Sequence, residues 1–381
     1  MPTLTQPLYR TASSPVRQFY QSSILLNSIN KLEEEVLPWY SQDRVFPVKI
    51  GDVFRSRCQV IGKVGYGAYS TVWLCRDLRS TITSGSPKSS HAGAILVRTA
   101  LDGFQIKSAH GSYSYQCLIH PPLATSLFEL QNQAKAKVLP DVLLKPTLIH
   151  ILLLSFDFLH TEAHVIHTDI QEKNIMLGVE GELILVDFEE VEKSNLKSME
   201  NCGRSGGLLF SKARDPKVDC RPILSDFGEA RFGSSSGTKS EDVQPSIYQA
   251  PEVLLQMTWN PKNNSISGIW ESWPWDLFEQ GHLIYARDSN KNDSDGHHLA
   301  EMIALLGLPP NEMLRNSEYA NELFDSDGNW RGFTEIPSMP LEKLKVCKAQ
   351  SKSAFFALCA KCFDSDQESE PRRRGCYQIL S

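Results

Sequence analysis

The sequence predicts an α+β chain, strand-rich toward its start and helical beyond, long enough for two lobes. Three observations predict it. Ile61 to Cys75 reads as two strands around a glycine-bearing turn. Leu143 to His160 has a helical period and is apolar along one side, the pattern of a core helix. Two polar motifs follow that helix, His167-Thr168-Asp169-Ile170-Gln171-Glu172-Lys173-Asn174 and Asp226-Phe227-Gly228, the second closed off by Ala250-Pro251-Glu252. At 381 residues, with 41% apolar and 22% charged residues, the chain is long enough for two lobes around a sizeable core.

The two motifs carry the chemistry of phosphoryl transfer. Such transfer needs a carboxylate to receive the proton of the acceptor hydroxyl, and oxygen ligands to hold magnesium against the phosphates. Asp169 is the candidate base. Asn174 and Asp226 are candidate metal ligands, and Gly228 gives the backbone freedom to turn directly after Asp226. His167 and Glu252 are candidate structural residues. This order resembles the H-x-D-x-x-x-x-N, D-F-G and A-P-E set of a protein kinase, and the interval from Asp226 to Glu252 is that of an activation segment. Threonine inside His167-Thr168-Asp169, together with Gly65-Tyr66-Gly67-Ala68-Tyr69-Ser70-Thr71-Val72-Trp73, is similar to the SR-protein kinases, and more specifically to their diverged fungal relatives. The resemblance covers roughly residues 32–380. It implies ATP and Mg²⁺ as cofactors, a Ser/Thr protein substrate of Arg-Ser-rich type, and a monomeric enzyme.

Composition narrows the classes. The net charge of −6 gives no reason to expect a nucleic-acid partner. The longest apolar run, Leu148 to Leu159, is broken by His150, Ser155 and Asp157 and is too short to span a bilayer. Nine cysteines lie scattered. The one C-x-x-C, Cys359-Ala360-Lys361-Cys362, has no second pair at zinc-finger spacing, so reduced thiols in the cytoplasm or nucleus are expected. Residues 1–31 hold Arg10, Arg17 and several serines, with no acid before Glu33. That composition fits a mitochondrial presequence and a disordered tail equally.

Along the chain, the resemblance makes residues 32–122 an incomplete N-lobe, entered by an extended arm over Tyr40 to Ile50. Gly65 and Gly67 let backbone approach phosphates, although Ser70 stands at the third glycine position. Val72 is the residue expected on the adenine face. Ala94 to Phe104 looks like the family's strand beyond its first helix, and Ser114 to Leu123 reads as the hinge strand, with Leu118 and His120 at the adenine edge through backbone groups. Residues 123–381 form the helical lobe, starting with a helix over Thr125 to Gln133. Ile175 to Leu177 is a strand, residues 190–221 a solvated insert, and 226–252 the activation segment. Asp187-Phe188-Glu189 competes with Asp226 for the metal. Asp226 is preferred because glycine follows it and Ala250-Pro251-Glu252 stands at the right distance.

Four departures from the family pattern bear on activity. The strand lysine that grips the phosphates and the helix glutamate that holds it are missing between Asp77 and Asp102, and Lys88 is the nearest substitute. Gln171 replaces the catalytic-loop lysine, with Lys173 as its neighbour. Gly268 stands where the family has a loop-holding aspartate. Pro274 falls inside a presumptive core helix, where proline costs ~3 kcal/mol or ends the helix. The sequence therefore leaves three readings: a Ser/Thr kinase of impaired activity, a pseudokinase acting as a nucleotide- or partner-binding scaffold, and a degenerate kinase copy. A small-molecule kinase is disfavoured, since Ala250-Pro251-Glu252 belongs to a peptide-binding segment.

Overall fold

The computed structural model describes residues 16, 35, 40–41, 45–67, 70–79, 89–108, 112–134, 137–139, 151, 154–179, 189–190, 221–232, 244–257, 273–278, 281–332 and 334–338. These fall into two compact units that are not contiguous along the chain. The first takes residues up to Ser90, Val97–Thr125 and Met176–Ile223, and the second takes His91–Leu96, Ser126–Ile175 and Leu224 onward.

In the first unit, strands β1 (Val53–Phe54), β2 (Cys58–Tyr66) and β3 (Thr71–Asp77) form an antiparallel sheet in the order β1-β2-β3. The apolar start of β2 is its core, with Val60 and Ile61 almost fully buried. Register shifts at Gly62 and Gly65 bend the hairpin, and its turn closes through the Gly67 N–H donating to Ser70 O at 2.8 Å. Strands β4 (Asp102–Lys107) and β5 (Ser114–Ile119) pair antiparallel, setting Gly103 opposite Leu118. Arg57 ties the sheets together with ion pairs to Asp77 (2.8 Å) and Asp102 (2.9 Å). Phe46 packs edge-on against both Phe54 and Tyr115. The same unit holds the ion pair between Arg76 and Glu189.

Five short strands follow: β6 (Leu123–Ser126), β7 (Val165–Ile166), β8 (Ile175–Gly178), β9 (Pro222–Leu224) and β10 (Arg231–Phe232). Strands β6, β8 and β9 form a sheet in the order β6-β8-β9, and β7 pairs antiparallel with β10. The expected strand over Ile175 to Leu177 is thus present as β8.

Helix α1 (Leu127–Gln133) opens the second unit's helical run. It starts later than the sequence suggests, because Ser126 and Glu129 form a reciprocal capping box (3.2 and 3.1 Å) that fixes the first turn, while Thr125 lies in β6. Of the expected core helix, the described part is α2 (Phe156–Phe158), continued by a π-helical turn over Leu159–Ala163 that ends at His164 in left-handed backbone. A second difference concerns Ala94. Residues Ala92–Leu96 form a 3₁₀ turn rather than a strand. The His91 ring accepts the Gly93 N–H (3.0 Å) and bonds Asp157 (3.1 Å), which closes the turn against α2.

Farther on come α3 (Pro251–Leu254), α4 (Trp273–Phe278), α5 (Asp295–Leu306), α6 (Asn311–Arg315) and α7 (Ala320–Leu323). Pro274 is the second residue of α4, so it begins a helix instead of breaking one. A proline in the first turn gives up an N–H that has no partner there anyway. Leu254, Leu255, Leu299, Ile303, Leu314 and Leu323 share the core around α5. Gly307, at φ 89°, ends α5 in backbone that a side chain resists.

Candidate active site

The second unit builds one polar centre from two loops. After the π-helical turn, β7 leads into residues 167–174. His167 is buried, and its Nε2 donates to Ser225 O at 2.9 Å while Nδ1 accepts the Asp169 N–H at 3.4 Å. These roles require the neutral ring, and burial, opposed by Ser225 and the Asp169 and Asp226 carboxylates, holds its pKa below the usual histidine value. The ring also meets Phe227 edge-on at 4.7 Å.

Asn174 donates its amide to the Asp169 carboxylate (2.7 Å) and to the Asp169 carbonyl (2.8 Å). Gln171 donates to the other Asp169 oxygen at 2.6 Å. The carboxylate is thereby aimed by two neutral amides. Ser225 closes the centre from the second loop, its N–H and hydroxyl both donating to Asn174 O (2.8 and 2.9 Å). The next residue, Asp226, is exposed, sits at φ 63°, and accepts the Gly228 N–H at 3.3 Å. Thr168 also has φ 63° and donates its hydroxyl to Glu229 O (2.7 Å), which Arg231 bonds as well. His167, Asp169, Asn174 and the residue preceding Asp226 are therefore one hydrogen-bonded group.

The candidate metal ligands offer hard oxygens, the amide oxygen of Asn174 and the carboxylate of Asp226. That set suits magnesium, which takes one or two protein oxygens and completes its shell with phosphates and water. Among the described residues, no group of three His, Cys, Asp or Glu side chains forms a metal cage. Lys173 is turned away from this centre, its ammonium 5.2 Å over the Phe128 ring.

The nucleotide candidates lie in the first unit. Among the described residues, a Cβ on Gly65 or Gly67 would meet nothing within 4 Å, and neither glycine has positive φ. Val72, opposite Gly65 in β3, and Leu118 in β5 are exposed. The His120 ring bonds Thr99 O at 3.3 Å, and burial with nearby Arg98 pushes its pKa down. The Ile119 carbonyl is engaged by the Leu101 N–H. Glu252 is buried in the first turn of α3. The arginine cluster Arg372-Arg373-Arg374, where the sequence offers a partner for Glu252, lies outside the described residues, as do Lys88, Asp187, Gly268 and the Cys359–Cys362 pair.

Sequence reasoning missed a buried network beside this centre. Tyr248, just before Ala250-Pro251-Glu252, donates its hydroxyl to Asp276 at 2.5 Å and lies 3.3 Å from Glu172. His282 bonds the same Asp276 oxygen at 2.6 Å. Burial raises the pKa of Glu172 and of Tyr248, and the Asp276 bond raises that of His282. The only sequence signal was an aspartate inside an aromatic run, Trp273-Pro274-Trp275-Asp276.

No family model matches the chain. A serine/threonine protein kinase of Aspergillus fumigatus is 38% identical over 401 residues, spanning 98% of this chain and 96% of that protein. The chain belongs to the serine/threonine protein kinases. The kinase named SRPK of Physarum polycephalum is 27% identical over 78% of both chains, and human SRSF protein kinase 3 is 28% identical over 44% of this one. The protein is thus a Ser/Thr kinase of SR-protein-kinase-like type, and the two-lobed kinase fold with ATP as phosphoryl donor follows from that membership. No helix among the described residues is long and apolar enough to cross a membrane.

Proposed function

We propose that this kinase transfers the γ-phosphoryl group of Mg-ATP to Ser/Thr hydroxyls of Arg-Ser-rich proteins, with Asp169 as catalytic base and Asn174 and Asp226 as magnesium ligands. The observation that carries this reading is the group linking His167, Asp169, Asn174 and Ser225. It holds the base and both ligand-bearing loops through hydrogen bonds of 2.6 to 3.4 Å. Gln171 and Asn174 orient the Asp169 carboxylate so that one oxygen lone pair meets the acceptor hydroxyl, and the proton passes to that oxygen as the new O–P bond forms and the bond from the γ-phosphorus to the β–γ bridging oxygen breaks, releasing ADP. Magnesium, when bound, supplies charge neutralisation at the phosphate oxygens. Gly65 and Gly67 approach the phosphates. Neither packing nor backbone conformation demands glycine at these positions, which leaves room for a ligand as the reason. Val72, Leu118 and His120 line the adenine end. The kinase acts as a monomer in the cytoplasm or nucleus, in keeping with the free thiols of Cys58, Cys75 and Cys117.

Turnover is low in this reading. Gln171 supplies a hydrogen bond but no positive charge, and losing one donor matched to a developing charge costs ~3 kcal/mol, or 10²–10³ in rate. The missing strand lysine adds to that loss. A scaffold that binds nucleotide without turnover is the second reading, and the same Gln171–Asp169 bond favours it.

One experiment separates the two. Phosphate transfer from ATP and Mg²⁺ to an Arg-Ser peptide is measured beside Asp169→Asn, with thermal stabilisation by the nucleotide recorded in parallel. Transfer above the Asp169→Asn level is expected. Stabilisation without transfer selects the scaffold.

A further inference from the structure

We propose that His282 is a positioning residue for this kinase, acting through Asp276 and Tyr248 to hold the segment that ends in Ala250-Pro251-Glu252 against the catalytic loop. The argument begins with a charge problem. Glu172 and Asp276 are both buried and both within reach of the Tyr248 hydroxyl, at 3.3 and 2.5 Å. That hydroxyl has one hydrogen, and it goes to the nearer acceptor, Asp276. The Asp276 Oδ2 atom accepts a second bond from His282 at 2.6 Å, and its Oδ1 atom is buried with no hydrogen-bond partner among the described residues. A buried carboxylate satisfied on one side only needs a cation. His282 supplies it from a side chain that remains 42% exposed, open to proton exchange with solvent.

Among the described residues, the groups facing His282 are these. Asp276 presents its carboxylate from α4, Glu172 acts from the catalytic loop, and Arg287 on the following loop opposes the imidazolium. The Tyr285 ring stands edge-on at 5.6 Å. The Asp276 bond outweighs the rest and keeps the ring cationic above the usual histidine range.

The reach of this contact makes it functional. Tyr248 lies in a 3₁₀ turn directly before α3, whose first turn carries Glu252. Glu172 is two residues from Asn174, and its carbonyl accepts the Phe128 N–H at the start of α1. Asp276 is anchored in turn, since Gln131 of α1 bonds its carbonyl and the Leu139 N–H bonds that of Leu277. When His282 loses its charge, the buried Asp276 carboxylate is left without a counter-ion, its burial beneath Tyr248 becomes costly, and the peptide-binding segment opens more readily.

The inference rests on the kinase reading, and its test keeps the two apart. Hydrogen exchange over residues 244–257 is compared at about pH 6 and about pH 8.5 for the full-length chain, for His282→Asn and for His282→Lys. Asparagine retains a neutral donor near the Nδ1 position, and lysine retains the charge. Wild type is expected to lose protection at the higher pH. His282→Asn should be loose at both pH values, and His282→Lys should be protected at both. With an Arg-Ser peptide, His282→Asn should lower kcat/KM about tenfold through peptide KM, leaving the KM for ATP unchanged. An asparagine variant that matches wild type in exchange at both pH values overturns the proposal. Absence of turnover in every chain would instead refute the kinase reading, with exchange still deciding this one.

Discussion

Thr168 and Asp226 share an unusual backbone conformation, φ 63°, and the two residues differ in how well they tolerate it. Aspartate visits left-handed backbone with little penalty. A β-branched threonine does so at a cost of ~1–3 kcal/mol that its surroundings must offset. The offset is visible in the bond from the Thr168 hydroxyl to Glu229 O, which pins the chain just after Asp226-Phe227-Gly228. Thr168→Val keeps the shape and the strain but removes that bond. It is expected to lower unfolding free energy by about 1 kcal/mol, read from the urea midpoint. An unchanged midpoint would mean that Arg231, the other donor to Glu229 O, suffices alone. At this scale the sequence was partly legible. Asp169, Asn174 and Asp226 announce themselves by type and order. Ser225, Glu172 and Tyr248 do not, because each acts through a partner far along the chain, as Ser225 does through Asn174, and His282 meets Asp276 only six residues away but in no recognisable motif.

Among the elements, the turn over Ala92–Leu96 shows how a short apolar run misleads. Ala94-Ile95-Leu96-Val97 has the composition of a strand, and a run this short carries no period that separates the alternatives. The deciding contact is the His91 ring, which captures the Gly93 N–H and curls the chain. Gly93 is then pressed onto α2, and a Cβ there would collide with Leu154 O and lie 2.8 Å from the Phe158 Cβ. Gly93→Ala should therefore force a backbone shift and cost ~1–3 kcal/mol. Denaturant unfolding measures the cost, and faster amide exchange over residues 154–163 locates it. Wild-type stability in that variant would show that the turn is not docked as described. The capping box at Ser126 and Glu129 was readable in principle from its spacing. Pro274 was read for its residue type and not for its place in the helix, which decides whether the missing N–H matters.

For the molecule as a whole, two histidines bracket the pH range of stability with opposite signs. His298, on α5, is buried beside the Ser246 backbone, with no hydrogen bond of ordinary geometry among the described residues. Burial lowers its pKa from 6.5 to about 4. The unfolded chain thus binds this proton more readily than the folded one. Stability is complete above pH 6.5 and falls as pH drops toward about 4, by roughly 1.4 kcal/mol per pH unit. His282 runs the other way. Its folded pKa is raised from 6.5 by Asp276, so its contribution is complete below 6.5 and lost as pH rises through the higher value. Together they place the optimum near neutrality. Denaturant unfolding followed from about pH 4.5 to about pH 9 should trace a dome. His298→Phe, which fills the site with a ring that cannot be protonated, should flatten the acid limb and leave the alkaline one in place. An acid limb unchanged in that variant would move the origin of acid sensitivity away from His298 to the other histidines whose pKa burial lowers, His120, His160 and His167.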